Sequence, residues 1–119
     1  MKYWDEKAEC MDREQLRLHQ GTKLKETVRL AYENVPAYKK KFDEIGLKPD
    51  DINGIEDIEK IPFTGKVDFR DNYPFGLFAV PMSQVVRIHA SSGTTGKSTV
   101  VGYTKDDIAL WAELIARTL

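Results

Sequence analysis

Cysteine is nearly missing from this chain of 119 residues, where Cys10 stands alone. A single thiol rules out an internal disulfide and fits a reducing compartment. Histidine is scarce too: His19 and His89 have no metal-ligand spacing with each other or with Cys10. Net charge is close to absent, with 18 Lys and Arg against 19 Asp and Glu. That balance offers no electrostatic footprint for nucleic acid or an anionic membrane. No apolar run approaches the length of a membrane span. The opening Met1-Lys2-Tyr3-Trp4-Asp5-Glu6 is polar and acidic, unlike a secretory signal. Together these absences point to the cytoplasm. There are no repeats and no low-complexity segments. What remains is an ordinary globular composition, 41% hydrophobic and 31% charged, with room for at most one domain.

The informative stretch is Ala90-Ser91-Ser92-Gly93-Thr94-Thr95-Gly96-Lys97-Ser98-Thr99, set between Val85-Val86-Arg87-Ile88-His89 and Val100-Val101-Gly102-Tyr103. The flanks are β-branched and aromatic and read as strands. Glycines let backbone N–H groups converge on one point, hydroxyls donate further bonds to oxygens, and lysine adds a full charge. This is the chemistry of a polyphosphate cradle; it is also the composition of an ordinary hairpin loop. A Walker A loop is excluded. Gly96-Lys97-Ser98 matches its end, but its first glycine would fall on Ser91, and a strand follows where that motif requires a helix.

Along the rest of the chain, helical signals dominate. Asp12 and Gln15 form a capping-box pattern. Leu16, Gln20, Leu24, Val28, Ala31 and Val35 then recur at helical spacing, which predicts a helix over 13–34 with a weak point or bend at Gly21. Pro36 ends it or opens the next helix, which carries Tyr38, Phe42 and Ile45 and stops at Gly46. Its Lys39-Lys40-Lys41 run reads first as a solvated face and second as an anchor for phosphate or CoA. Ile52, Ile55, Ile58 and Ile61 suggest short helical turns. Thr64 is expected to cap a helix through Asn72 that buries Val67 and Phe69. Tyr73 to Pro81 is an aromatic connector, read as a hydrophobic wall before an aryl-binding surface. His89 reads as a packed histidine and His19 as a surface one. Thr104 and Asp107 begin a last helix with the stripe Ile108, Trp111, Ala112, Ile115 and Leu119.

Only two strands are visible, and a lone hairpin is marginal in water. A helix with a full apolar stripe needs something to cover. The residues therefore describe a helix-rich α/β fold that is an incomplete domain, with 1–81 mainly helical and 82–119 forming strand, loop, strand and helix.

Ser92-Gly93-Thr94-Thr95-Gly96-Lys97 between two strands resembles the glycine-rich signature of the adenylate-forming acyl-CoA ligases. Tyr73-Pro74-Phe75-Gly76-Leu77-Phe78-Ala79-Val80-Pro81, Arg87-Ile88-His89-Ala90-Ser91-Ser92, and the opening Tyr3-Trp4 through Glu9-Cys10-Met11 are similar to the phenylacetate-CoA ligase family. Ser98 departs from a common proline and Gly65 from a polar residue. The resemblance implies the N-terminal part of a large adenylate-forming domain. It implies a parent that joins phenylacetate or a similar aryl acid to ATP as an acyl-adenylate, then passes the acyl group to CoA. Mg²⁺ would share the phosphate charge, and the parent would be a homodimer. Ser92, Thr94, Thr95 and Lys97 would hold the β- and γ-phosphates by side chain, Gly93 and Gly96 by backbone, with Ser91 ranking below them. No counterpart of the family's adenine-binding residues, hinge or catalytic lysine appears, so this chain alone is expected to make no acyl-CoA. Two alternatives stand beside this reading. One is a related enzyme with another acid, such as another aryl-CoA ligase or a coenzyme F390 synthetase type; the other is a non-catalytic anion-binding helical module.

Overall fold

In the computed structural model, which describes residues 2–92 and 96–119, the chain opens with a single turn, α1 (Glu6–Glu9). The predicted long helix follows as α2 (Arg13–Asn34), where the Asp12 carboxylate accepts the Gln15 N–H at 2.9 Å. Val35 is extended, and Pro36 takes the first position of α3 (Pro36–Glu44), where its missing N–H breaks no helical bond. Gly46, at φ +69°, ends α3 in the left-handed conformation that glycine adopts without strain. The Leu47 N–H donates to the Phe42 carbonyl at 2.9 Å and the Gly46 N–H to that of Asp43 at 3.1 Å, a Schellman closure.

That closure turns Leu47 back onto Phe42. The buried core is Val28, Phe42, Leu47 and Ile52, with Leu24, Tyr32, Tyr38 and Ile61 packed around it. Val35 is buried as well. Tight turns at Pro49–Asp51 and Ile55–Lys60 carry the isoleucines of the sequence pattern across α2. Gly21, expected to bend α2, instead lies where this second turn crosses it. A Cβ there would sit 3.2 Å from the Ile55 nitrogen, so glycine admits backbone to backbone.

Beyond the core, α4 (Lys66–Asp71) differs from its expectation. Its cap is Gly65, not Thr64, and the Asp68 carboxylate accepts the Gly65 N–H at 2.7 Å. Val67 is 54% exposed, while Phe69 is half-buried. Residues two apart on a helix point about 200° apart, so one short helix cannot bury both on one side.

The connector leads to an antiparallel hairpin, β1 (Val85–Ala90) and β2 (Val100–Thr104). Arg87 pairs with Tyr103, Ile88 with Gly102 and Ala90 with Val100, and the register shifts between Val85 and Arg87. The predicted capping box opens α5 (Lys105–Thr118): the Thr104 N–H donates to Asp107 at 2.8 Å and the Asp107 N–H to the Thr104 hydroxyl at 3.1 Å. Trp111 stacks on Tyr103 with ring centroids 5.5 Å apart. No residue of α5 is fully buried, however. Leu110, Trp111, Leu114 and Ile115 are all exposed. The N-terminal segment ties α5 down, with the Trp4 indole N–H donating to Glu113 at 2.8 Å and Arg117 paired with Asp5 at 3.3 Å.

Two outcomes follow from this packing. The Phe78 ring lies against Gly102, where a Cβ would stand 2.6 Å from a ring carbon. Gly102→Ala is expected to destabilise the chain by about 1–3 kcal/mol through overpacking, read as a lowered Tm; an unchanged Tm would mean that the ring moves aside freely. The open faces of α5 should make the isolated chain self-associate and bind a dye for apolar surface. A monodisperse monomer that leaves the dye dark would contradict this.

Candidate functional site

The loop between β1 and β2 is closed at its base by one residue pair. The Ser91 N–H donates to the Thr99 carbonyl at 2.9 Å, and the Thr99 N–H donates back to the Ser91 hydroxyl at 2.9 Å. Ser91 is thereby engaged in shaping the loop, in keeping with its lower rank as a ligand. Ser92, Gly96 and Lys97 are exposed on the loop. Gly96 has φ +121°, a conformation that side-chain-bearing residues rarely adopt, so this position calls for glycine. The remaining candidates, Gly93, Thr94 and Thr95, lie outside the described residues. The Lys97 ammonium rests 5.6 Å from the centroid of the Tyr73 ring.

The connector packs on β2 through Phe78, while Tyr73 and Phe75 stay exposed, so its aromatics form the expected wall only in part. Phe75 and Phe78 meet at 5.2 Å, and Phe78 lies on Gly102 of β2. His89 stands edge-on to Tyr103 at 5.0 Å and to Trp111 at 5.8 Å, a packed aromatic position rather than that of a catalyst. His19 is exposed on α2. A cleft of about 730 Å³ opens elsewhere, lined by Leu30, Tyr38, Phe69, Phe78 and Val101, with Glu26 and Asp106 among its walls. Acidic walls are the wrong sign for ATP or a carboxylate, and Ser92, Gly96 and Lys97 do not line it. This cleft and the candidate chemistry are in different places.

The basic run is neutralised internally. Lys39 pairs with Asp43 at 2.6 Å, Lys40 with Glu44 at 4.0 Å, and Lys41 with Asp68 at 2.8 Å. Lys41 also donates to the Phe63 carbonyl at 3.0 Å, which ties α3 to the start of α4. This supports the solvated-face reading over a phosphate or CoA anchor. The signal was present in the sequence, since Asp43 and Glu44 stand one helical turn beyond Lys39 and Lys40.

No protein-family profile matches the chain. Phenylacetate-coenzyme A ligase of Pseudomonas putida is 58% identical over 104 residues, 87% of this chain. That of Escherichia coli strain K12 is 59% identical over 106 residues, or 89%, and that of Thermus thermophilus 56% over 111 residues, or 93%. The chain belongs to the phenylacetate-coenzyme A ligase family. It spans about a quarter of the length of these curated relatives. A solved structure of 2-hydroxyisobutyryl-CoA ligase with 2-HIB-AMP and CoA, in its thioesterification state, superposes with a TM-score of 0.87 at 31% identity. The match covers 98% of this chain and 26% of that one. A second, in the postadenylation state with 2-HIB-AMP, gives 0.85 at 28% identity over 98% and 25% of the two chains. The helix-rich α/β arrangement is thus part of an acyl-CoA ligase fold, which accounts for a hairpin and helix that bury nothing completely.

In this ligase segment three carboxyls are held below their usual range; one is Asp57, through Lys60 and then the Asn53 N–H. Asp43 accepts hydrogen bonds from Lys39, Lys48 and the Tyr32 hydroxyl, which hold its carboxyl far below the usual range. Asp68 is lowered by Lys41 and then by the Gly65 N–H. A carboxyl whose pKa is depressed by folding contributes stability above its unfolded value, about 3.9, and loses it as pH falls through the folded one. The Tm should therefore drop as pH is taken from about 4 toward 2. Asp43→Asn should flatten that drop while leaving its direction unchanged. Equal slopes for the two proteins would remove Asp43 from the acid response.

Proposed function

We propose that this chain is the ATP-phosphate-binding segment of an enzyme that activates phenylacetate and transfers it to CoA. The observation that carries the reading is 56–59% identity to phenylacetate-coenzyme A ligases over 87–96% of the chain. Identity to the 2-hydroxyisobutyryl-CoA ligase structures is 28–31%, which favours an aryl acid over the shorter hydroxy acid.

The loop Ser92 to Lys97 holds the β- and γ-phosphates of ATP. Ser92, Thr94 and Thr95 donate from hydroxyls, Gly93 and Gly96 from backbone N–H groups, and Lys97 supplies the full charge. Among the described residues no group of three His, Cys, Asp or Glu gathers to hold a metal; Mg²⁺ bound with ATP would share the phosphate charge beside Lys97. Held this way, the α-phosphate is open to attack by the carboxylate, giving an acyl-adenylate and pyrophosphate. CoA thiol then displaces AMP. Adenylyl transfer depends on positioning and charge stabilisation, which is what such a loop offers. The reaction requires residues that have no counterpart among these 119, so the chain by itself is inactive. The whole enzyme works in the cytoplasm as a homodimer. Among the described residues, no helix is long and apolar enough to cross a membrane.

Lys97→Ala, placed in the ligase that carries this segment, should reduce phenylacetate-dependent pyrophosphate exchange about ten- to a hundredfold, the range expected for one charge-assisted contact. An unchanged exchange rate would overturn the loop assignment. A panel of acids run on the unaltered enzyme should place phenylacetate first; preference for another acid would leave the loop intact and change the substrate.

A further inference from the structure

Lys97 brings the only full charge to the stretch Ser91–Thr99. A lysine ammonium on its flexible stem loses considerable freedom when an anion captures it. What holds it beforehand therefore affects how tightly the loop binds. The Tyr73 ring is 5.6 Å from this ammonium, within cation–π range.

The backbone around Tyr73 is held from both sides. On one side the end of α4 fixes it: the Tyr73 N–H donates to the Arg70 carbonyl at 3.3 Å, and the Asn72 side chain donates to the Asp68 carbonyl at 2.8 Å. The Gly76 N–H then closes back on the Asn72 carbonyl at 2.8 Å. That turn is so tight that a Cβ on residue 76 would meet the same carbonyl oxygen at 2.7 Å. On the other side Phe75 packs on Phe78, and Phe78 lies on Gly102, which pairs with Ile88 across the hairpin. The backbone that carries the ring is thus tied to the strand leaving the loop, through Phe75 and Phe78, as well as to the helix before it, while Tyr73 itself is 45% exposed.

We propose that Tyr73 is a positioning residue for the phosphate loop, its ring face holding the Lys97 ammonium in place before the anion arrives. This rests on the phosphate-loop reading above. The ammonium is already confined when phosphate oxygens reach it, so less freedom is lost on binding. The ring face carries the effect; the hydroxyl does not.

The test uses sodium tripolyphosphate as the probe and the whole ligase that carries this segment, with the lysine side-chain methylene resonances followed by NMR. In the unaltered ligase the Lys97 ε-methylene protons should be displaced upfield by the ring current. Tyr73→Phe should keep that displacement and the affinity. Tyr73→Leu should abolish the displacement and weaken tripolyphosphate binding about two- to fivefold, the range of an exposed cation–π contact. The backbone amide spectrum of α2 and α3 should be unchanged in both variants, so a loss of folding is visible separately. Unshifted Lys97 protons in the unaltered ligase would overturn the proposal. So would equal or tighter binding by the Leu variant, or equal weakening by the Phe variant. Lys97→Ala separates the two levels. If it binds tripolyphosphate as well as the unaltered ligase, the phosphate-loop reading itself fails; if it binds weakly while Tyr73→Leu is unaffected, only the role of Tyr73 is lost.

Discussion

The contact between Phe78 and Gly102 joins the two halves of this molecule, and the placing of the candidate site depends on it. A two-stranded hairpin has too little apolar surface of its own to stand in water. Here β2 receives an aromatic ring on its glycine, at a distance that any side chain would block. The same ring packs against Phe75 and so fixes the connector that carries Tyr73. The strand leaving the loop and the wall beside it are thus held together by one apolar contact and the absence of one Cβ.

The two halves reach stability differently. Among the described residues, all the buried apolar side chains lie between Val28 and Ile52, where α2, α3 and two tight turns close over Phe42. The hairpin and α5 bury nothing completely and are held instead by edge contacts. Beside Phe78 on Gly102, these are the stacking of Trp111 on Tyr103, the capping box at Thr104, and the two polar ties from Trp4 and Asp5 to α5. A helix apolar on more than one side belongs inside a protein body. The match to about a quarter of an acyl-CoA ligase chain is consistent with that.

The candidate phosphate loop was legible in the sequence because such a proposal depends on residue type at short range. Glycines, hydroxyls and one lysine between two strands already describe a cradle, and the left-handed Gly96 is the kind of position that such a pattern anticipates. The role of Ser91 was less legible. Its hydroxyl could equally have faced a ligand, and only the pairing of β1 with β2 turns it toward Thr99. The lysine run shows the reverse case. Two of its three partners were one turn away in sequence, but Asp68, the partner of Lys41, lies on another helix and was brought there by folding.

Local order was determined by the sequence alone. The extents of α2, α3 and α5, the Pro36 start, the Gly46 stop and the Thr104–Asp107 cap all follow from hydrogen bonds within a few residues, which the order of side chains dictates. Tertiary structure alone decided what lies against what. Gly21 became a crossing point rather than a bend, Val67 turned outward while Phe69 turned in, and Tyr73 came under Lys97. Each of those depends on where a distant segment comes to rest, and burial of apolar surface is non-directional. A stripe of apolar residues therefore states that a helix will be covered and leaves open which partner will cover it.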